Sequence, residues 1–462
     1  MSKGDSDDVG VTGLDVRRFL NDQKLGRLHV LLTLLSAAAV GMDGIDAQAI
    51  GYVAPEITRE WNVPRAALGA VFSASLLGMM LGSMLFGVLG DKLGRKRVII
   101  SCVALIGFAT LMVTQASSVN ALVLARLVVG VGIGGVGPNV YALLSEYSPS
   151  RLRATLIMLV TTSFPLGAGL GGILAARIVP AYGWRSMFAS AGVLTLLLVP
   201  VLMLWLPESL RQMITRGASE ERIRRLLQRI APHVAVPPGA SVWVSEPQAR
   251  GFLVWALFRE RRAGMTCLLW AMYFVTMLVN YFVSNWLPTL GRDAGLSLEA
   301  ALRATSLFQF GGVAGAVGFG LLIDRRPPRG VMVLAYAGTG LFIAALGFGW
   351  FSPVFLAATA FCAGFCINGT QIGDTFIAAV SYPSALRSTG VGWGAAVGRI
   401  GATCGPLIAG YLLAGGWDRR VMFVGAAVLA AAVAAMISLR GSALFPVMRQ
   451  GTHVVSGEPL SS

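Results

Sequence analysis

Residues 87–97 read Gly87-Val88-Leu89-Gly90-Asp91-Lys92-Leu93-Gly94-Arg95-Lys96-Arg97, a short basic loop between two apolar runs. A reduced copy, Gly320-x-x-x-Asp324-Arg325, stands 233 residues further on. Pro149-Ser150-x-Leu152-Arg153-x-Thr155 returns as Pro383-Ser384-x-Leu386-Arg387-x-Thr389 at an offset of 234, and Gly183-Trp184 returns as Gly416-Trp417 at 233. Met187-Phe188 and Met422-Phe423 follow at 235. Matches in one order at nearly one offset imply duplication. Each pair also falls at the equivalent place in its half.

Between these marks lie long apolar runs. Six are read at about 28–57, 66–90, 98–116, 121–145, 154–181 and 184–206, and six more at about 263–290, 299–323, 330–350, 353–380, 388–415 and 418–439. A hydrocarbon core about 30 Å thick needs about 20 helical residues, so each run is long enough to cross it. Composition agrees, with 55% hydrophobic residues, 13% charged and a mean hydropathy of +0.71. A soluble domain carries about 25% charged residues. The expected organisation is therefore a tail 1–26, a first bundle 27–206, a central loop 207–262, a second bundle 263–440 and a tail 441–462. In fold class this is an all-α membrane protein with 12 transmembrane helices in two six-helix parallel-repeat bundles, the plan of transporters that rock around a midplane site.

The net charge of +15 raises the question of nucleic acid, and the placement of the basic residues answers it. With both termini inside, 27 of the 37 fall on inner segments, 8 on outer segments and 2, Arg126 and Arg399, within spans. That is the positive-inside bias, which predicts cytoplasmic termini and no nucleic-acid partner. The polar N-terminal tail, with Asp5, Asp7, Asp8, Arg17 and Arg18, is not a cleavable signal peptide. Cys102, Cys267, Cys362, Cys366 and Cys404 all lie in apolar runs without a CxxC or histidine company, so no metal, haem or redox cofactor is expected. Gly130, Gly132, Gly135 and Gly167, Gly169, Gly172 satisfy GxGxxG inside apolar spans, which reads as close helix packing. No Walker sequence is present, and no nucleophile and base arrangement suggests an enzyme. The central loop carries Pro207, Pro232, Pro237, Pro238 and Pro247 around an amphipathic piece, Glu220 to Ile230. Its basic face, Arg222, Arg225 and Arg229, is either part of a plain linker or a surface for anionic lipid.

Ionisable residues within spans are functional candidates, because each costs about 2.5–3.5 kcal/mol on insertion scales. Five are found: Asp43, Asp46, Arg126, Asp374 and Arg399. Asp43 and Asp46 share a helix face, and two close carboxylates resist joint ionisation, which suits a proton-coupling pair. The alternative is one aspartate paired structurally with Arg126. Arg126 and Arg399 suit bidentate capture of a carboxylate, or else internal salt bridges. Tyr273, Asn280, Trp286, Gln309, Asn368 and Gln371 are candidates for the rest of a substrate pocket, with interfacial placement as the alternative for the aromatic residues.

The 87–97 loop resembles the loop between helices 2 and 3 of the major facilitator superfamily. The likeness narrows with Asp43-Gly44-Ile45-Asp46 and Ala49 to Pro55, with Ser145-Glu146-Tyr147-Ser148-Pro149, with Phe164-Pro165-Leu166-Gly167, with Asn285-Trp286-Leu287-Pro288, and with Tyr382-Pro383 through Arg387 to Gly398-Arg399-Ile400-Gly401. Together these resemble the aromatic acid:H+ symporters of that superfamily. The resemblance implies a gating role for Gly87, Asp91, Lys92, Gly94 and Arg95, with Asp324 and Arg325 as a weaker counterpart, and for Glu146 and Arg387. It implies a proton-coupled importer of a small organic acid, most simply an aromatic carboxylate, in a bacterial inner membrane, acting as a monomer on substrate and protons within the lipid bilayer. Two departures stand out. Ile45 occupies a position that is usually aromatic, and Asp374 stands where an uncharged residue is expected, which hints at a changed substrate. Proton-driven efflux, a symporter for a non-aromatic acid and a membrane sensor are the competing readings, the last disfavoured because these residues carry no signalling domain.

Overall fold

The computed structural model describes residues 13–15, 25–216, 219–230, 241–243, 254–259, 262–348, 352–383 and 386–444. Asp5, Asp7, Asp8, Arg17 and Arg18 of the N-terminal tail, the central-loop prolines other than Pro207, Ser384 and residues 445–462 lie outside them. Among the described residues, twelve helices are long and apolar enough to cross a membrane. In the first half these are α1 (Arg27–Trp61), α2 (Arg65–Leu93), α3 (Arg95–Val113), α4 (Val119–Tyr147), α5 (Ser150–Tyr182) and α6 (Trp184–Trp205). Two short helices follow, α7 (Leu210–Thr215) and α8 (Glu220–Ile230). The second half holds α9 (Ala263–Asp293), α10 (Leu298–Arg325), α11 (Pro328–Phe348), α12 (Pro353–Ser381), α13 (Arg387–Ala414) and α14 (Arg419–Leu444). Strands β1 (Gly13–Asp15) and β2 (Ser241–Trp243) form a small parallel pair, with Gly13 opposite Ser241.

Helix ends follow the local sequence. The side chains of Ser118, Ser297 and Ser352 each accept a hydrogen bond from the backbone N–H three residues on, satisfying first-turn donors of α4, α10 and α12. Pro64 precedes α2, and Gly94 ends it at φ +109°, a conformation that side chains with a Cβ rarely adopt. The duplicated Gly183 and Gly416 share φ +79°, so the repeat extends to backbone conformation.

Packing repeats as well. α2 lies against α4 as α10 lies against α12, α1 against α5 as α9 against α13, and α3 against α6 as α11 against α14. The bundles meet through α2 with α13 and α5 with α10, two contacts that exchange when the halves are swapped, and through α1 with α9. Lipid tails are as apolar as leucine, so close backbone approach replaces hydrophobic drive inside such bundles. At the α2–α4 seam a Cβ on Gly78 would stand 2.2 Å from the Leu127 carbonyl oxygen, one on Gly82 2.0 Å from that of Val131, and one on Gly134 2.2 Å from that of Met79. Both GxGxxG stretches serve such contacts: Gly130 abuts the Ser75 carbonyl and Gly167 that of Gly41. Gly82→Val is expected to remove the monodisperse peak in fluorescence-detected size exclusion, because the valine would meet backbone that cannot move aside; a normal peak would contradict this.

Two ends of the molecule can be told apart. The basic end carries the start of α1, the 87–97 loop and Arg325. At the far end and down to mid-depth the bundles are bonded. Arg65 Nη2 meets Asp293 Oδ1 at 2.8 Å, Phe72 and Trp286 meet edge to face at 5.2 Å, Ser73 Oγ donates to the Thr403 carbonyl at 2.8 Å, and Gln48 Nε2 donates to that of Ser284. Gly69 and Gly410 bring α2 and α13 together there. At the basic end α7 and α8 lean on the first bundle. Arg216 donates to the Lys92 carbonyl at 2.7 Å, and a cavity of about 1270 Å³ is lined by Arg27, Lys96, Arg97, Arg222 and Arg225 together with Trp205.

Candidate functional site

Asp43 and Asp46 sit near the middle of α1, where Gly41 and Gly44 bring its backbone against α5. Their environments differ. Asp46 is fully buried and turned into the first bundle, with Thr110 of α3 donating to Oδ1 at 2.8 Å and Thr195 of α6 donating to Oδ2 at 2.9 Å. Asp43, 3% exposed, has no hydrogen bond or ion pair among the described residues, and lies within electrostatic reach of Asp46 and of Tyr141 on α4. A carboxylate without donors in such a place is costly when ionised. Ile45, between them, turns to Gly171 on α5. Its departure from an aromatic residue therefore concerns helix packing.

Arg126 does not have all its donors engaged, since Nη1 is buried without a partner. It is fully buried, donating from Nε to Ser75 Oγ at 2.9 Å and from Nη2 to the carbonyls of Asp46 at 2.9 Å and Ala47 at 3.3 Å, with the Phe188 ring 5.9 Å away. Nor does it form the alternative ion pair, since its bonds go to the backbone of α1 while the Asp46 carboxylate goes to threonines. It clamps α4 to α1 and α2.

Arg399 is placed differently. From the middle of α13 it reaches across to α2, donating from Nη1 to Ser83 Oγ at 2.6 Å and to the Met79 carbonyl at 3.0 Å. It is half-buried and meets no carboxylate of the described residues. Both Nη1 hydrogens are engaged, so Nε and Nη2, one edge of the guanidinium, are left. Tyr141 of α4 and Tyr281 of α9 lie within its electrostatic reach. Asp43, Tyr141, Arg399 and Tyr281 thus form a mid-depth series that crosses from one bundle to the other.

Of the remaining pocket candidates, Asn280, Asn368 and Gln371 are part-exposed near mid-depth on α9 and α12. Asn280 Oδ1 is buried with no partner, an acceptor awaiting a donor. Asn368 Nδ2 donates to the Gly364 carbonyl at 3.2 Å, and Gln309, nearly buried, donates to Ser284 Oγ at 3.4 Å. Three candidates lie away from this space. Trp286 is fully buried, gives its Nε1–H to the Pro406 carbonyl at 3.0 Å and helps close the far end. Tyr273 is buried against Gly394 of α13. Asp374 is fully buried inside the second bundle, accepting from Thr276 and Tyr336, so it cannot touch a substrate in the cleft between bundles.

At the basic end the two halves of the duplicated loop have parted. In the first, Arg95 pairs with Glu146 at 2.9 Å and with Asp91 at 3.4 Å, and Ser209 donates to the other Glu146 oxygen at 2.6 Å. Gln212 presses on Gly94 and Asn139 on Gly90, where a Cβ would stand 1.9 Å and 1.7 Å from their side-chain oxygens. Gly87 has open space around it, so the packing does not require it to be glycine. Lys92 is exposed and contributes its carbonyl to Arg216. In the second half Asp324, Arg325 and Arg387 are exposed, and Asp324 and Arg325 have no partner among the described residues. Asp91, one of the expected gating residues, is two-thirds exposed and among the described residues reaches Arg95 alone.

The family model of the Major Facilitator Superfamily matches residues 36–341 and, in a second overlapping match, 269–454. The 4-hydroxybenzoate transporter of Pseudomonas putida is 40% identical over 406 residues, 88% of this chain and 91% of that protein. The chain belongs to the major facilitator superfamily. Within it, this identity places the chain with the aromatic acid:H+ symporters. The gallate transporter of Pseudomonas putida is 38% identical over 426 residues, 91% of this chain and 94% of that protein. Among solved structures, the inward-open xylose transporter of E. coli superposes with a TM-score of 0.67 at 14% identity, covering 89% of this chain and 96% of that one, a likeness of fold.

This superfamily member is thus a multi-pass transporter rather than an enzyme, and several polar residues at its centre had no signal in its sequence. Thr110, Thr195 and Ser83 are single hydroxyls in apolar runs, where such residues usually bond their own helix. Tyr141 and Tyr281 read as ordinary aromatic residues of long spans. Only their distance in space from Asp43 and Arg399 marks them.

Proposed function

We propose that this chain is a proton-coupled importer of small aromatic carboxylates of the hydroxybenzoate class, working as a monomer by alternating access in the bacterial inner membrane with both termini cytoplasmic. The observation that carries this reading is Arg399. A mid-depth guanidinium anchored through Nη1, with no carboxylate partner and with Nε and Nη2 unused, matches the two oxygens of a carboxylate. The orphaned Asn280 Oδ1 supplies an acceptor for a ring hydroxyl. Support for the aromatic class comes from relatives named for 4-hydroxybenzoate, gallate and benzoate.

Asp43 takes and releases the proton, and Asp46, fixed by two threonines, sets the field in which it does so. The bundles are bonded at the far end and the second-half charges are exposed at the basic end. With the positive-inside bias this supports a resting form open to the cytoplasm, from which substrate has left. Counterflow in proteoliposomes tests the substrate class. 4-Hydroxybenzoate, benzoate and 3-phenylpropionate are expected to exchange, with Asn280→Ala weakening 4-hydroxybenzoate at least threefold relative to benzoate. Exchange confined to aliphatic acids would overturn the assignment.

A further inference from the structure

Asp374 is a fully buried carboxylate that the transport cycle so far described does not use. Tyr336 Oη of α11 lies 2.9 Å from Oδ1 and 3.0 Å from Oδ2, and Thr276 Oγ1 of α9 lies 2.9 Å from Oδ2. Thr276 Oγ1 is also 2.8 Å from Tyr336 Oη and 3.2 Å from Thr370 Oγ1, and Tyr336 Oη is 3.2 Å from the Met272 carbonyl oxygen. Among the described residues no arginine or lysine acts on this carboxylate. The ionisable neighbours are Tyr336 from α11 and Tyr273 from α9, whose Oη is 3.4 Å from Thr375 Oγ1. α10 brings Phe319 and Ile323 to this stretch of α12, and α13 brings Gly394 to Tyr273.

Counting hydrogens separates two states. Tyr336 and Thr276 own one hydroxyl hydrogen each. With Asp374 ionised, both hydrogens go to the carboxylate and the Met272 carbonyl receives nothing from Tyr336. With Asp374 neutral, its own O–H donates to Tyr336 Oη, Tyr336 turns its hydrogen to Met272, and Thr276 still donates to Oδ2. The observed distances accommodate both, and the second ties α11 to the backbone of α9. An anion held only by hydroxyls in a membrane bundle is expensive, so the extra hydrogen has a strong reason to be there.

We infer that Asp374 is a second proton-binding site of the transporter, in the opposite bundle from Asp43, where one proton drawn from water converts the carboxylate to the acid and reverses the Tyr336 hydrogen bond. Thr375, next along the chain, is exposed on the surface of α12. In its stoichiometric part the inference rests on the proposed proton coupling. In its spectroscopic part it does not.

Full-length protein in proteoliposomes gives the proton-to-substrate ratio from the pH gradient at which net flux of the exchanged acid reverses. Asp374→Asn is expected to lower that ratio by one. An unchanged ratio overturns the proposal. Infrared difference spectra of the detergent-solubilised protein between acid and alkaline pH read the carboxyl directly, without any substrate. A protonated-carboxyl band is expected that moves in frequency in Tyr336→Phe, a variant that keeps Asp374. Its absence, or a band set identical in the two proteins, overturns the proposal even if Asp374→Asn does not fold. Failure of all acids to exchange would refute the substrate reading and leave the infrared result to decide this one.

Discussion

Asp43→Asn is expected to abolish uphill accumulation of 4-hydroxybenzoate while measurable exchange survives. One pH unit across the membrane is worth about 1.4 kcal/mol per proton, a tenfold concentration ratio for each coupled proton. In proteoliposomes with an imposed gradient of one unit, the internal-to-external ratio should fall from about ten or more to one. The reason lies in the contrast along α1. Asp46 has its two oxygens tied to Thr110 and Thr195 on helices of its own bundle, whereas Asp43 has no donor and sits beside Tyr141 at the cleft. With no donor to hold its ionised form, Asp43 is the more strongly driven of the pair to take up a proton. Accumulation at the wild-type ratio in Asp43→Asn would remove it from the coupling mechanism.

Arg399→Ala should weaken binding of the same acid at least about 30-fold. Truncating one partner of a buried, hydrogen-bonded charge pair costs about 2–5 kcal/mol, and 2 kcal/mol is already a factor of about 30 in Kd. Arg399→Lys keeps the charge and loses the planar fork, so its affinity should fall between the two. Scintillation proximity binding of labelled 4-hydroxybenzoate measures both. An alanine variant that binds within threefold of the unaltered protein would show that the carboxylate is held elsewhere. Arg126 offers the contrast, because its bonds already run to Ser75 and to the carbonyls of Asp46 and Ala47.

Sequence reading reached the helices and the correspondence of the two halves because both are written in long-range periodicities: apolar runs of membrane length, and a copy of Gly87-x-x-x-Asp91 one half-chain on. It also reached the five ionisable residues of the spans, since charge in hydrocarbon stands out wherever it points. Direction was what it could not supply. Arg126 and Arg399 look alike in sequence, yet one bonds within its own bundle, to Ser75 and the carbonyls of α1, and the other reaches across to α2. Asp374 looked like a pocket residue because the rotation of α12 about its own axis is set by tertiary packing against α9 and α11. The duplicated Gly-Trp pair tells the same story: Trp184 is buried and bonded to Glu60, while Trp417 is half-exposed.

The bond from Arg399 to the Met79 carbonyl has a mechanical side. That same oxygen presses on Gly134 of α4, where a Cβ would stand 2.2 Å away, so α2 and α4 meet as bare backbones with no rotamer able to absorb motion between them. A tug on Met79 is therefore felt by α4 at once, and Tyr141 rides on α4. In the proposed alternating-access cycle, opening of the far end would part α13 from α2, and an empty carrier would then strip Arg399 of two acceptors. A carboxylate bound as proposed would travel with that cation and keep it company. On that binding mode the loaded molecule would face a lower hill between its two orientations than the vacant one, and cargo would act as a lubricant of the motion that delivers it.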